Sequence, residues 1–315
     1  MMSEPRHYKS LDSFENESKI PIHLAIGMFD GLHLGHRKVV ESAIQAANSV
    51  GGIAGVLTFW PHPSFLFNPN DPVPMILSSR MKFAEFDRLR IDFVVEEPFD
   101  RAFAAIEAEK FVEMLKGKLP GLASIHTGAN WKFGKGRKGD VDLLRKLAGE
   151  LGINSRALDC LYLDGKRVSS TRIREAISEG RIEEANRLLG YNYESIGSVE
   201  EGKKLGRTIG APTLNIPFEG KLFPRRGVYF VRVSSEKESE QLPAVANFGV
   251  KPTVDALDQP ALEVHVLEEC PFSYGDRLRV EWERFSRPEQ KFDSLDSLES
   301  QIREDIANAR SFYYG

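Results

Sequence analysis

Cysteine is scarce: 315 residues hold only Cys160 and Cys270, far apart, with no Cys-x-x-Cys pair and no histidine cluster beside either. That excludes a disulfide framework and a thiolate zinc site, and both are expected as core residues of a reducing compartment. Long apolar runs are missing as well. No window approaches 18 apolar residues, and residues 1–20 are polar and mixed in charge, so neither a membrane span nor a secretory leader is expected. A cytoplasmic protein follows as the expectation. There is no positive excess either: 42 Lys and Arg stand against 46 Asp and Glu, a formal net charge of -4. This denies the chain the global positive field of a non-specific nucleic-acid binder, so the expected partners are small molecules, not nucleic acid or membrane.

What is present is ordinary globular composition, 41% hydrophobic and 28% charged, which excludes wholesale disorder. The length suggests two domains. Residues 20–189 alternate short apolar runs with helical spacing, the rhythm of a parallel α/β sheet. Strands are predicted at 22–29, 52–59, 92–96 and 123–126, and helices at 35–50 and 107–116. After Gly190, β-branched and aromatic runs recur between glycine and proline turns at 195–199, 227–233, 243–248, 261–267 and 278–285. These predict a small antiparallel barrel, followed by an amphipathic helix over 295–309. The expected class is therefore α/β plus all-β, divided into residues 1–189 and 190–315.

In the first half, residues 27–36 read Gly-Met-Phe-Asp-Gly-Leu-His-Leu-Gly-His. A strand ends in glycines that let the backbone approach a ligand, and a helix then opens with free N–H groups and its positive dipole end at the same spot. His33 and His36 would converge there on phosphate oxygens; a bare pair at this spacing also suits metal ligation or plain surface polarity. Ser169-Ser170-Thr171-Arg172-Ile173-Arg174 opens another helix. Ser and Thr are good caps, but arginine at a helix start is disfavoured unless an anion sits nearby, and a triphosphate would supply one. The run 134–139, Gly-Lys-Gly-Arg-Lys-Gly, fits Gly-x-Gly-x-x-Gly. Its basic turn and its place after several earlier strands argue against a dinucleotide fingerprint.

In the second half, the loop 202–210 carries three glycines and three cations, suited to wrapping phosphates or to lying on the surface. Thr213 and Asn215, two apart on an extended segment, project neutral oxygens to one side, which suits Mg²⁺ or solvent. Glu263 and His265 share one strand face. Such a pair is commonly exposed polarity, yet phosphorylating a primary hydroxyl benefits from a carboxylate that takes its proton.

These residues together resemble the bacterial bifunctional riboflavin kinase/FAD synthetase family. The likeness rests on Gly-x-Phe-Asp-Gly with His-x-Gly-His, Thr58-Phe59-Trp60-Pro61-His62-Pro63, and Ser-Ser-Thr-Arg-Ile-Arg in the first half. In the second it rests on Gly-Arg-x-x-Gly-x-Pro-Thr-x-Asn, Arg226-Gly227-Val228-Tyr229, Asn247-Phe248-Gly249, Glu-x-His, Tyr274-Gly275 and the closing 287–292. The resemblance implies a Rossmann-like nucleotidyltransferase domain and a β-barrel riboflavin kinase domain, with ATP, riboflavin and FMN as substrates and Mg²⁺ as cofactor. It implies that His33 and His36 hold ATP phosphates and that Gly27, Phe29, Asp30, Gly31, Gly35, Ser169, Ser170, Thr171 and Arg174 line the nucleotide. In the kinase half it implies ATP contacts from Gly202, Lys203, Leu205, Gly206, Arg207 and Gly210, Mg²⁺ at Thr213 and Asn215, and Glu263 as base. Flavin contacts are implied for His62, Asn130 and Arg287. Two departures stand out: Asn130-Trp131 where Asp and Phe are usual, and Glu268-Glu269 where Asp or Asn is followed by Phe. The alternatives are a nucleotidyltransferase acting on another phosphorylated acceptor and a flavin-binding regulator without turnover.

Overall fold

The run Ile-His-Leu-Ala-Ile is buried at every position, as only a strand covered on both faces can be. It forms β2 (Ile22–Ile26), the centre of a sheet in a computed structural model that describes residues 6–14, 20–202, 210–236, 240–250 and 260–315. The chain forms two units, Met1–Ser170 and Thr171–Gly315. In the first, β1 (Arg6–Tyr8), β2, β3 (Ile53–Trp60), β4 (Phe93–Pro98), β5 (Leu122–Gly128) and β6 (Asn154–Leu158) make one sheet, and the short β7 (Tyr162–Leu163) pairs antiparallel with β8 (Lys166–Arg167). The order of the larger sheet is β1-β4-β3-β2-β5-β6 and every pairing in it is parallel. Strand order reverses beside β2, so β2 and β5 flank a topological switch point, where the carboxyl ends of strands leave a ligand crevice.

Helix α1 (Leu34–Val50) follows β2, α2 (Pro63–Phe67) and α3 (Ser79–Arg88) lie between β3 and β4, and α4 (Arg101–Ala104) follows β4. His33 caps the start of α1, Gly51 ends it at φ 71°, and Val39, Val40, Ala43 and Ala47 form its buried stripe. These pack with Ala25, Val56, Phe86 and Val94 on one face of the sheet. The opposite face is covered by α5 (Ala108–Lys118) and α6 (Val141–Glu150) through Phe111, Val112, Leu115, Leu144 and Ala148. β1 and β6 were not predicted, because they are edge strands of mostly polar, exposed residues without an apolar period. The cysteine expectation is corrected: Cys160 is half-buried and Cys270 exposed, and both are free thiols.

The second unit begins with α7 (Ser170–Ser178), which starts on the last residue of the first unit, and α8 (Ile182–Leu189). The predicted boundary at 189 assigned both helices to the first half. Their spacing gives an apolar stripe, Ile182, Ala185, Leu188 and Leu189, but not the surface that covers it. Asn186 settles that: its Nδ2 donates to the Trp282 carbonyl at 2.7 Å and its Oδ1 accepts from Tyr193 N at 2.8 Å. The strands are β9 (Tyr193–Ser198), β10 (Leu214–Pro217), β11 (Gly227–Ser235), β12 (Leu242–Val250), β13 (Pro260–Val266) and β14 (Arg277–Pro288). Their order is β10-β13-β12-β11-β14-β9, antiparallel throughout, and a bridge from Glu200 to Asn215 draws the two ends together. Fully buried Trp282 organises the interior, its ring meeting Tyr193, Phe218, Tyr229 and Phe248. The terminal helix α9 (Leu295–Tyr314) packs on β12 and donates from Tyr313 Oη to the Val231 carbonyl.

Candidate functional site

The turn after β2 is backbone-strained. Phe29 (φ 50°) and Leu32 (φ 34°) join Gly31 (φ 78°) at positive φ, a conformation costly for side chains with a Cβ. Neighbours hold it there. The Asp30 carboxylate, 2% exposed, accepts from Ile76 N at 3.0 Å and Leu77 N at 3.3 Å, and its backbone oxygen accepts from Ser170 Oγ at 2.9 Å. Thr58 Oγ1 donates to the Met28 carbonyl at 3.1 Å. Beneath it, buried Lys82 reaches Thr58 Oγ1 at 3.2 Å and Glu96 at 3.0 Å; burial lowers the lysine pKa, and the Glu96 and Asp30 charges oppose that shift. Phe29 is a core ring. The side chains of Phe29 and Asp30 therefore build the turn, and only their backbone is available to a nucleotide.

His33 Nδ1 accepts from His36 N at 3.2 Å, and the two imidazoles stack with centroids 3.6 Å apart and planes within 14°. Gly35 is small for a reason: a Cβ there would sit 3.2 Å from the His33 ring. The predicted pair is thus brought together at the N-terminus of α1. Ser170 is fastened to the same turn, whereas Thr171 and Arg174 continue on α7 into the second unit. The inference from arginine at that helix start needs correction in part, because the anion beside Arg172 is Glu184 at 2.8 Å, within the chain.

A cavity of about 540 Å³ runs from Met28 to the segment after β5. Its walls include Phe59, Phe99, Phe103, Phe111, Trp131 and Phe133, and the Trp131 and Phe133 rings stack at 4.7 Å. Asn130 lines it. His62 does not: its Nδ1 caps the short helix α2 (Pro63–Phe67), accepting from Ser64 N at 3.1 Å, and its neighbour Pro63 lines the cavity instead. Phe99, Phe103 and Phe111 escaped the sequence reading; the spacing of Phe99 and Phe103, four apart, was the available signal.

In the second unit, register sets Asn215 on β10 opposite Glu263 on β13, and Glu263 opposite Asn247 on β12. Directly opposed residues share a sheet face, so a carboxylate stands between two amides. Asn247 is the member that the sequence reading did not single out as a site residue. His265 Nδ1 bonds the Pro212 carbonyl at 2.9 Å, fixing the approach to Thr213. A cavity of about 530 Å³ is lined by Glu200, Gly202, Thr213, Asn215, Phe272 and Tyr274; Glu263 lies one strand away from it. Lys203, Leu205, Gly206 and Arg207 lie outside the described residues, and Gly210 is an exposed turn residue at φ 74°. The Arg287 guanidinium closes on Asp305 with bonds of 2.8 and 2.6 Å, which ties β14 to α9. Among the described residues no group of three His, Cys, Asp or Glu could hold a metal alone. Thr213 and Asn215 with the nearby Glu263 fit Mg²⁺ that takes its remaining ligands from phosphates and water.

A parallel sheet with a phosphate-suited turn at its switch point, followed by a barrel with a carboxylate flanked by amides, defines a two-domain transferase acting at phosphorus. The FAD synthetase family model matches residues 15–172 and the riboflavin kinase model residues 189–313. The chain belongs to the bifunctional riboflavin kinase/FMN adenylyltransferase family. It is 36% identical over 290 residues to the Escherichia coli K12 member, with 92% of each chain covered. It is 34% identical over 312 residues to that of Listeria monocytogenes, covering 98% and 96%, and 33% identical over 297 residues to that of Bacillus subtilis, covering 92% of each. A solved chain described as a macrolide-efflux protein from Streptococcus pneumoniae superposes with TM-score 0.87 at 27% identity, covering 98% of this chain and 99% of that one. Among the described residues no helix is long and apolar enough to cross a membrane. The chain is thus an enzyme with both activities, using ATP, riboflavin and FMN. Neither alternative, another acceptor or a regulator without turnover, draws support from these matches.

Proposed function

We propose that the two activities are housed separately, with residues 1–189 adenylylating FMN and residues 190–315 phosphorylating riboflavin. One observation carries this reading above the others: each half has its own cavity, one of about 540 Å³ that reaches Met28 in the turn after β2 and one of about 530 Å³ lined by Gly202, Thr213 and Asn215.

In the first half the flavin ring would lie against the aromatic walls near Asn130, and the ATP phosphates against the Gly27–Gly35 backbone, the N-terminus of α1, and Ser169 and Ser170. An FMN phosphate oxygen attacks the α-phosphorus, the bond to the β-phosphate oxygen breaks, and pyrophosphate leaves. His33 and His36 donate to the non-bridging oxygens as charge builds there, aided by the helix dipole, with no covalent enzyme intermediate. In the second half Glu263 accepts the proton of the riboflavin primary hydroxyl as its oxygen attacks the γ-phosphorus and ADP leaves. Asn215 and Asn247 orient that carboxylate. Thr213 and Asn215 would hold Mg²⁺, which when bound neutralises phosphate charge. The loop 202–210 would cover ATP. With an exposed thiol at Cys270, the cytoplasm is the proposed place of work, since such a thiol persists where the compartment is reducing.

The test is incubation with riboflavin, ATP and Mg²⁺, separating products over time. FMN is expected first and FAD after a lag, with a chelator stopping FMN formation. A different riboflavin product, or adenylyl transfer to an acceptor other than FMN, would overturn the reading.

A further inference from the structure

FMN and riboflavin carry the same ring and differ only in a terminal phosphate, so an aromatic cavity alone selects neither. Riboflavin lacks the attacking oxygen and would occupy the adenylylation site unproductively. A cation would discriminate through the phosphate charge, and the cavity lining contains two, Lys132 and Arg137. Lys132 is already paired with Asp140 at 3.3 Å. The adjacent Lys135, outside the lining, is paired with Glu107 at 3.2 Å. Among the described residues no carboxylate pairs with Arg137.

The turn that carries Arg137 is built to hold it still. Phe133 and Gly139 exchange backbone hydrogen bonds of 3.1 and 2.9 Å across its base, Lys135 N donates to the Ile106 carbonyl at 2.7 Å, and Arg137 N to the Gly134 carbonyl at 2.9 Å. Gly134, at φ 71°, lies so close to Ala108 that a Cβ would overlap that residue's backbone. Arg137 itself sits at φ 58°, a conformation glycine adopts freely and a long side chain does not. The strained turn thus fixes a cation at the edge of an aromatic cavity.

We propose that Arg137 is the specificity residue of the adenylylation site, donating a charge-assisted pair of hydrogen bonds to the FMN phosphate and so selecting FMN over riboflavin. The Gly-Lys-Gly-Arg-Lys-Gly run is then a phosphate-reading turn for the acceptor substrate. This rests on the reading that the flavin ring occupies the aromatic cavity.

The experiment uses the full chain and follows FAD formation with FMN varied. Lumiflavin, which has the ring but no hydroxyl to phosphorylate, serves as the competitive inhibitor. Arg137→Gly removes the charge while accepting the backbone angle, so its fold and melting temperature should hold and its phosphorylation of riboflavin should be unchanged. Its KM for FMN should rise about 10- to 100-fold, the range for losing a charge-assisted pair, while the lumiflavin inhibition constant stays the same. Arg137→Lys should fall between, retaining charge without the planar fork. An unchanged KM for FMN in both variants, or a rise in the KM for ATP instead, would overturn the proposal. Trp131→Ala tests the underlying placement separately: it should weaken FMN and lumiflavin together. If it moves neither, the ring is elsewhere, whatever Arg137 does.

Discussion

His126 lies at the centre of a buried polar chain that serves the sheet. Its Nε2 meets Ser124 Oγ at 2.7 Å and its Nδ1 meets Ser42 Oγ at 2.9 Å, while Ser124 Oγ also meets His23 Nδ1 at 2.7 Å. All four residues are buried, and they tie β2, β5 and α1 together below the nucleotide turn. Burial, then the neighbouring His23 and Arg156, lowers the His126 pKa from 6.5 to about 4, and burial lowers that of His23 too. The folded state thus refuses protons that the unfolded chain accepts below 6.5. Stability is full above that pH and is lost as pH falls towards about 4, by up to about 3 kcal/mol for His126. Hydrogen exchange of β5 at pH 7 and pH 4.5 checks this: protection should fall steeply in the native chain and less in His126→Gln, and equal falls would refute it. None of this was legible in the sequence, where both histidines read as strand positions within apolar runs. His33 and His36 were legible because glycines and a strand-to-helix change surround them. The Arg287–Asp305 pair was not legible, because the sequence neighbours of Arg287 do not reveal Asp305 across the fold.

Among elements, those with a strong apolar period were readable within a few residues, as α1, β3, β5 and the barrel strands demonstrate. Those that depend on a partner surface were not. β10 is only four residues long and declares itself through pairing with β13, and α8 shows an apolar stripe whose cover becomes known only through Asn186. The join between β9 and β10 has one testable consequence. Gly202 abuts the Asn215 amide so closely that any Cβ would overlap it. Gly202→Ala should therefore displace Asn215 and cost at least tenfold in kcat/KM for FMN formation, about 1.4 kcal/mol, with FAD formation from supplied FMN intact. Unchanged phosphorylation of riboflavin would remove Asn215 from the site.

For the molecule as a whole, both steps are displacements at phosphorus, a chemistry that positioning and fixed dipoles and charges serve well. In the proposed assignment the first site would use a parallel sheet's switch point, the second a row of opposed residues on an antiparallel sheet. The family models meet this division from both sides, ending at 172 and beginning at 189. Of the intervening helices, α8 packs on β14 and β9, and the Ser170 side chain at the start of α7 is bonded to the turn after β2. In the proposed division each half would perform one step with its own residues. The most direct measurement is the product profile of two single variants, each given riboflavin or FMN together with ATP and Mg²⁺. Glu263→Ala should lose about 100- to 10,000-fold in FMN formation while converting supplied FMN to FAD at the native rate, and His36→Ala should accumulate FMN from riboflavin without making FAD. Loss of both steps in either folded variant would contradict the account.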